Sequence, residues 1–125
     1  ILLFATKMAM VKQVPAEEFV TNNRTVAATK LQEGDSLLTV RIAGTETDLV
    51  LQSASGMFLR FSMDEIPELK KNSRGVRGMK LGTGDELEEI YFVTQQPQIV
   101  YKEKEVHLNR LKLAKRDGKG SKVRL

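Results

Sequence analysis

Apolar positions in this chain come in short runs: Ile1 to Ala5, Met8 to Gln13, Leu37 to Ile42, Leu49 to Gln52, Met57 to Phe61, Leu87 to Val93 and Gln98 to Lys102. Turn-forming residues such as Gly34-Asp35, Ser55-Gly56 and Gly82-Thr-Gly-Asp85 separate them. Such runs bounded by Gly, Ser and Asp predict strands, and none is long enough for a core helix. Around Glu17-Glu18 and Asp64-Glu65 the pattern predicts single helical turns, because carboxylates early in a turn meet the positive helix end. Pro15 and Pro67 punctuate these turns, and Lys70-Lys-Asn-Ser-Arg74 reads as a basic surface loop. The expected fold is all-β.

The pattern repeats. At an offset of 48, Leu3 falls on Leu51, Met10 on Phe58, Val11 on Leu59 and Lys12 on Arg60. At an offset of 50, Arg24, Val26, Lys30, Leu31, Gly34, Asp35 and Leu37 fall on Arg74, Val76, Lys80, Leu81, Gly84, Asp85 and Leu87. A looser third copy runs from Gln98, where Arg116-Asp-Gly-Lys-Gly120 and Lys122 echo Arg74-Gly-Val-Arg-Gly78 and Lys80 at an offset of 42. A repeat of 42 to 50 residues is the size of a propeller blade. The units are repeat 1 over about 1–47, repeat 2 over about 48–93 and a partial repeat 3 over about 94–125, all within one domain, 1–125.

Composition narrows the chemistry. The 125 residues, 41% hydrophobic and 29% charged, suit one modest globular core. Cysteine is absent, which excludes disulfides, thiol catalysis and cysteine zinc sites, and the single His107 excludes a histidine cluster. No apolar run approaches the 18 or more residues of a membrane helix, and Ile1 to Phe4 lacks the basic flank of a signal peptide. The chain does not begin with Met, so it is expected to be a fragment of something longer. Residues 1–100 hold 11 Lys/Arg against 13 Asp/Glu, whereas residues 101–125 hold 9 against 3. A basic end of this kind suggests an anionic partner such as nucleic acid.

Read together, Phe58-Leu-Arg60, Glu65-Ile-Pro67, Arg74-Gly-Val-Arg-Gly-Met-Lys-Leu81 and Gly84-Asp-Glu-Leu87 closely resemble a blade of the C-terminal domain of the A subunit of bacterial type IIA DNA topoisomerases, gyrase and topoisomerase IV. The resemblance is strong in 49–92, good in 1–42 and looser in 98–125. It implies a β-pinwheel, a propeller-like array of about three four-stranded blades with strands exchanged between neighbours, forming part of a larger ring. It implies a bacterial, cytoplasmic, nucleoid-associated protein whose partners are double-stranded DNA, the ATPase B subunit, and the rest of the A subunit. The catalytic tyrosine, ATP and magnesium belong to other parts of that assembly, so no catalytic residue, cofactor or metal is expected here. Tyr91 sits within an apolar run and Tyr101 ends one. Open blade edges would favour self-association.

The gyrase A subunit carries a loop box, Gln-Arg-Arg-Gly-Gly-Lys/Arg-Gly, that anchors DNA. Its nearest match is Ala114-Lys-Arg-Asp-Gly-Lys-Gly120, which keeps Arg116, Gly118, Lys119 and Gly120 and departs at Ala114 and Asp117. These departures lean toward topoisomerase IV, whose boxes are degenerate, and Asp117 sets a negative charge where a phosphate would approach. Arg74-Gly-Val-Arg-Gly78 reads as another degenerate copy.

Glycine beside Arg and Lys lets a loop come close to a phosphate backbone, and such loops repeated blade by blade would hold a bent duplex through phosphates rather than bases. The candidate DNA-binding residues are Arg24, Arg74, Arg77, Lys80, Lys115, Arg116, Lys119, Lys122 and Arg124. Few aromatics, 6%, and no Trp argue against a base-stacking single-strand binder. The rival reading is a propeller module that binds protein through an exposed apolar patch and never touches DNA; a stand-alone RNA binder with a basic tail fits less well, because the repeats themselves carry Arg-Gly loops. Simpler roles are also expected: Lys12 and Arg60 as solvated edge charges, Gly78 and Gly120 as turn closers, His107 as a surface or hydrogen-bonded residue, Asp85 and Glu86 as turn chemistry beside Glu88 and Glu89, and Met8, Met10, Met57, Met63 and Met79 as core fillers.

Overall fold

The computed structural model describes residues 1–15, 34–44, 47–70 and 73–122. Their regular structure is eleven strands and two single 3-10 turns, Met63–Glu65 and Leu108–Arg110. The turn at Asp64-Glu65 is thus as expected, with Ser62 Oγ accepting from the Asp64 amide. The turn expected at Glu17-Glu18 lies outside the described residues. The second 3-10 turn begins directly where the strand Lys104–His107 ends.

Strands β1 (Leu2–Thr6), β2 (Met10–Val14) and β3 (Leu37–Ile42) form an antiparallel set. Strands β4 (Asp48–Ser53), β5 (Met57–Ser62) and β7 (Leu87–Phe92) repeat it. A final hairpin joins β8 (Gln98–Tyr101) to β9 (Lys104–His107). Each full sheet takes its remaining strands from the next repeat. Strand β6 (Val76–Arg77) pairs with β2, and β10 (Leu113–Ala114) and β11 (Ser121–Lys122) both pair with β5, the first parallel and the second antiparallel. The free edge of β2 is covered in the same way, since a parallel bridge joins Gln13 to Glu68 ahead of β6. Exchange of short pieces between neighbours hides the edges of both inner strands.

The second sheet is buried on both faces. On one side Leu49, Leu51, Leu59 and Phe61 pack with Leu3, Ala5 and Val11 of the first sheet; on the other Val50 and Phe58 pack with Val106 and Leu108 beyond the final hairpin. Every residue of β4 is accordingly buried, which explains its continuous apolar run. The outermost strands are the exception, with Val40 at 41%, Ile42 at 78% and Val100 at 76% exposed.

Backbone register corrects the offset of 48. In the first hairpin Ala5 faces Val11, and in the second Gln52 faces Phe58, so equivalent positions are 47 apart. Hydrogen bonds agree: the Met10 amide donates to Thr6 Oγ1 and the Met57 amide to Ser53 Oγ. Ala9 and Gly56, also 47 apart, share a positive φ. Lys12 therefore corresponds to Leu59 and Gln13 to Arg60. The offset of 50 is observed at the turns, where the Met8 and Ser55 amides donate to the carboxylates of Asp35 and Asp85. Asp85 also accepts from Ser55 Oγ and the Glu86 amide, so these carboxylates are turn chemistry as expected.

Candidate nucleic-acid interface

Two basic loops lie across the inner strands, and two glycines fix where. Gly75 has φ +86° and a Cβ placed on it would stand 2.5 Å from Val11 O; Gly120 has φ +76° and a Cβ there would stand 2.6 Å from Phe58 O. Val11 and Phe58 are equivalent, so Gly75 and Gly120 are equivalent too, at an offset of 45 rather than 42. Strand pairing repeats the offset, with Val76 on Val11 and Ser121 on Phe58. Ala114 to Gly120 thus corresponds to Leu69-Lys-Lys-Asn-Ser-Arg-Gly75. Arg74 corresponds to Lys119, and Lys70 to Lys115. Lys70 is a site candidate that the offset of 42 overlooked, and aligning the two close-packed glycines exposes it. Gly78 is buried in the packing between the sheets rather than at a turn: a Cβ there would stand 3.0 Å from the Val11 and Leu51 side chains.

The second loop gathers several candidates. Arg77 forms an ion pair with Asp117, its Nη2 reaching Oδ2 at 2.9 Å. Hydrogen bonding to Arg77 holds the Asp117 carboxyl below its ordinary range, and the same bond raises Arg77. Asp117, which sits at φ +71°, is therefore engaged by a cation of the preceding repeat. The Arg116 guanidinium donates to Glu65 O and Arg77 O, and its amide to Glu65 Oε1. Arg116 is thus a partly buried brace between repeats as well as a candidate contact.

Lys115 and Lys119 are exposed and line a cleft of about 320 Å³ beside Arg60 and Lys112. Lys119 also borders a cleft of about 510 Å³ with Lys80, Thr83 and Asp85 over a floor of Met57 and Met79. Lys122 is exposed on β11 and Arg74 is exposed beside Gly75. Arg24 and Arg124 lie outside the described residues. The fold therefore brings Arg77, Lys80, Arg116 and Lys119 to one junction and sets Arg74 at the other.

Neither Lys12 nor Arg60 is a solvated edge charge. Arg60 pairs with Asp48 and donates through Nη1 to Asn109 O and Leu111 O. Gln13, its equivalent, donates to Met63 O and Ile66 O. In both repeats this side chain grips the 3-10 turn of the next unit through backbone carbonyls of the turn and of the residue that follows it. Lys12 is 1% exposed, donates to Ser73 O at 2.6 Å and Lys70 O at 3.4 Å, and has its ammonium 5.3 Å from the Phe4 ring centroid. Burial pushes its pKa down. Met63 and Met79 are core fillers as expected, whereas Met8 is 43% exposed. His107 is half-buried, 4.0 Å from Glu105. Among the described residues no group of His, Asp and Glu is placed to hold a metal, and no helix is long and apolar enough to cross a membrane.

An all-β array of blades linked by exchanged strands, with Arg- and Lys-bearing loops at the junctions, defines a β-pinwheel. The family model for the DNA gyrase C-terminal domain, beta-propeller, matches residues 1–43 and 47–94, and the chain belongs to that family. It is 34% identical over 87 residues to the DNA gyrase A subunit of Pseudomonas aeruginosa, covering 69% of this chain and 9% of that protein. It is 29% identical over 134 residues to the Staphylococcus aureus counterpart, covering 98% of this chain and 15% of that protein. The chain thus spans a small part of these relatives. Among solved structures, the C-terminal domain of DNA topoisomerase IV superimposes with a TM-score of 0.86 at 22% identity, covering 95% of this chain and 39% of that one. The DNA gyrase A C-terminal domain superimposes at 0.81 and 22% identity, covering 95% and 41%.

Proposed function

We propose that this chain is a non-catalytic module of the A subunit of a type II DNA topoisomerase, and that it binds and bends duplex DNA for strand passage through phosphate contacts. The observation that carries the reading is the equivalence of the two glycine-pinned loops, which set Lys70 and Arg74 at one junction and Lys115 and Lys119 at the next. Cations repeated at each blade junction suit a curved duplex, whose bending over a 20 to 30 base-pair site costs about 1–6 kcal/mol and needs several contacts to offset it. ATP use, magnesium and DNA cleavage would reside elsewhere in the assembly, in the bacterial cytoplasm at the nucleoid. The partners there would be the B subunit, together with the rest of the A subunit. The exposed apolar residues of β3 and β8 would favour self-association of the isolated chain, which sedimentation at increasing concentration would detect.

Titration of labelled duplexes of unrelated sequence across several salt concentrations tests this. With four to six contacts, a log-log slope of roughly −4 to −5 is expected, with little sequence preference. Salt-independent binding, strong sequence discrimination or no binding at low salt would favour the protein-interaction module, for which the exposed β3 face is the natural surface.

A further inference from the structure

Lysine is almost never fully buried unless its ammonium is engaged. The fold itself does not require an ammonium where Lys12 stands, because the equivalent position one repeat later holds Leu59, also buried. What differs is the loop above. Beneath the second loop, Leu59 meets Gly118, where a Cβ would stand 3.3 Å from Leu59 Cδ1. The Gly118 carbonyl there accepts from the Lys80 amide at 2.8 Å. Ser73 is the equivalent of Gly118 at the offset of 45, and its carbonyl accepts from Lys12 Nζ instead. Ser73 Oγ in turn accepts from the Gly75 amide at 3.1 Å, linking the buried ammonium to the glycine that locks the loop onto β2.

We infer that Lys12 is a positioning residue for the DNA contacts of the first loop. It draws the Lys70 and Ser73 carbonyls inward and so leaves the Lys70 and Arg74 side chains exposed toward a duplex. The inference rests on the duplex-binding reading and adds to it a residue that touches no DNA. Phe4 adds to the site, its ring face attracting the ammonium.

A double-mutant cycle on this 125-residue chain tests it, using Lys12→Met, Arg74→Ala and the pair, with duplex affinity read over a range of salt. Arg74→Ala alone should weaken binding several-fold and lower the slope by about one. Lys12→Met should lower the slope by about one to two, and adding Arg74→Ala to it should change little. Full additivity, or an unchanged slope in Lys12→Met, overturns the inference. Should Lys12→Met fail to show the parent's far-ultraviolet circular dichroism, Lys12→Leu, which installs the residue type of the equivalent position and no donor for the Ser73 carbonyl, is carried through the same cycle with the same criteria. Should the parent chain not bind duplex at all, the duplex reading fails, while the positioning role is still read by hydrogen exchange. The Gly75 and Val76 amides should then exchange about tenfold faster in the Lys12 variant with β4 unaffected, and unchanged exchange overturns it.

Discussion

The two junctions solve one problem with different chemistry. In each, a loop of the following repeat crosses an inner strand, a glycine at positive φ presses onto a backbone oxygen, and a long polar side chain grips a 3-10 turn. At the first junction the loop is held from beneath by the buried Lys12, and Gln13 holds the turn. At the second, Leu59 replaces the ammonium and the bonding moves to the surface, where Arg77 meets Asp117 and Arg116 bridges Glu65 and Arg77. The geometry is therefore carried by glycine and backbone pairing, while the charges that brace it vary between repeats. Bracing a loop with cations also alters the charge a duplex would meet: the first junction hides one cation inside, and the second neutralises one with Asp117.

The largest effect should come from the shared element. Gly75→Ala and Gly120→Ala each combine a left-handed backbone with an oxygen at 2.5–2.6 Å, and each should lower unfolding free energy by about 2–4 kcal/mol in urea titration. A marked inequality between them would break the equivalence of the two loops. Next comes the turn grip. Arg60→Met strands the largely buried Asp48 and should cost about 2–3 kcal/mol, whereas Gln13→Leu loses neutral hydrogen bonds and should cost about 1–2 kcal/mol. Equal losses would show that Asp48 is solvated.

Smaller again is the surface pair. Asp117→Asn frees Arg77 and should leave thermal stability almost unchanged while raising duplex affinity about three-fold and steepening the salt slope by about one. The pH dependence has a definite sign. The folded Asp117 carboxyl is held low by Arg77, so its contribution is complete above an unfolded pKa of about 3.9 and is lost as pH falls through the lower folded value. Asp85 behaves alike: desolvation pushes its pKa up, but hydrogen bonds from Ser55, Ser53 and the Glu86 amide outweigh that and hold it low. Acid titration of Asp117→Asn should show a smaller stability loss below pH 4 than the parent, a difference readable by circular dichroism.

How much of this was legible varies with the range of the interaction. Strands and the Asp35 and Asp85 turns follow from local pattern, because turn residues bound each run and the carboxylates bond amides across the turn. The one-residue error in offset has a specific cause. Alternation sets register only where one face of a strand meets water, and β4 meets water on neither, so Leu49, Val50 and Leu51 give no preference for either alignment. The two-residue strands β6, β10 and β11 carry no periodic signal. Lys12 sits at the end of an apolar run like any edge charge, and its burial depends on carbonyls 58 and 61 residues away. Asp117 reads as repulsive to phosphate only while its partner 40 residues earlier is unseen.

The claim that both loops face DNA phosphates is tested most directly by comparing two double variants, Lys70→Ala with Arg74→Ala and Lys115→Ala with Lys119→Ala, in salt-dependent titrations of one duplex. Arg116 is left in place because it braces the junction. Each pair should lower the magnitude of the slope by about two while circular dichroism stays that of the parent. A slope untouched by either pair, with the fold intact, would contradict the account.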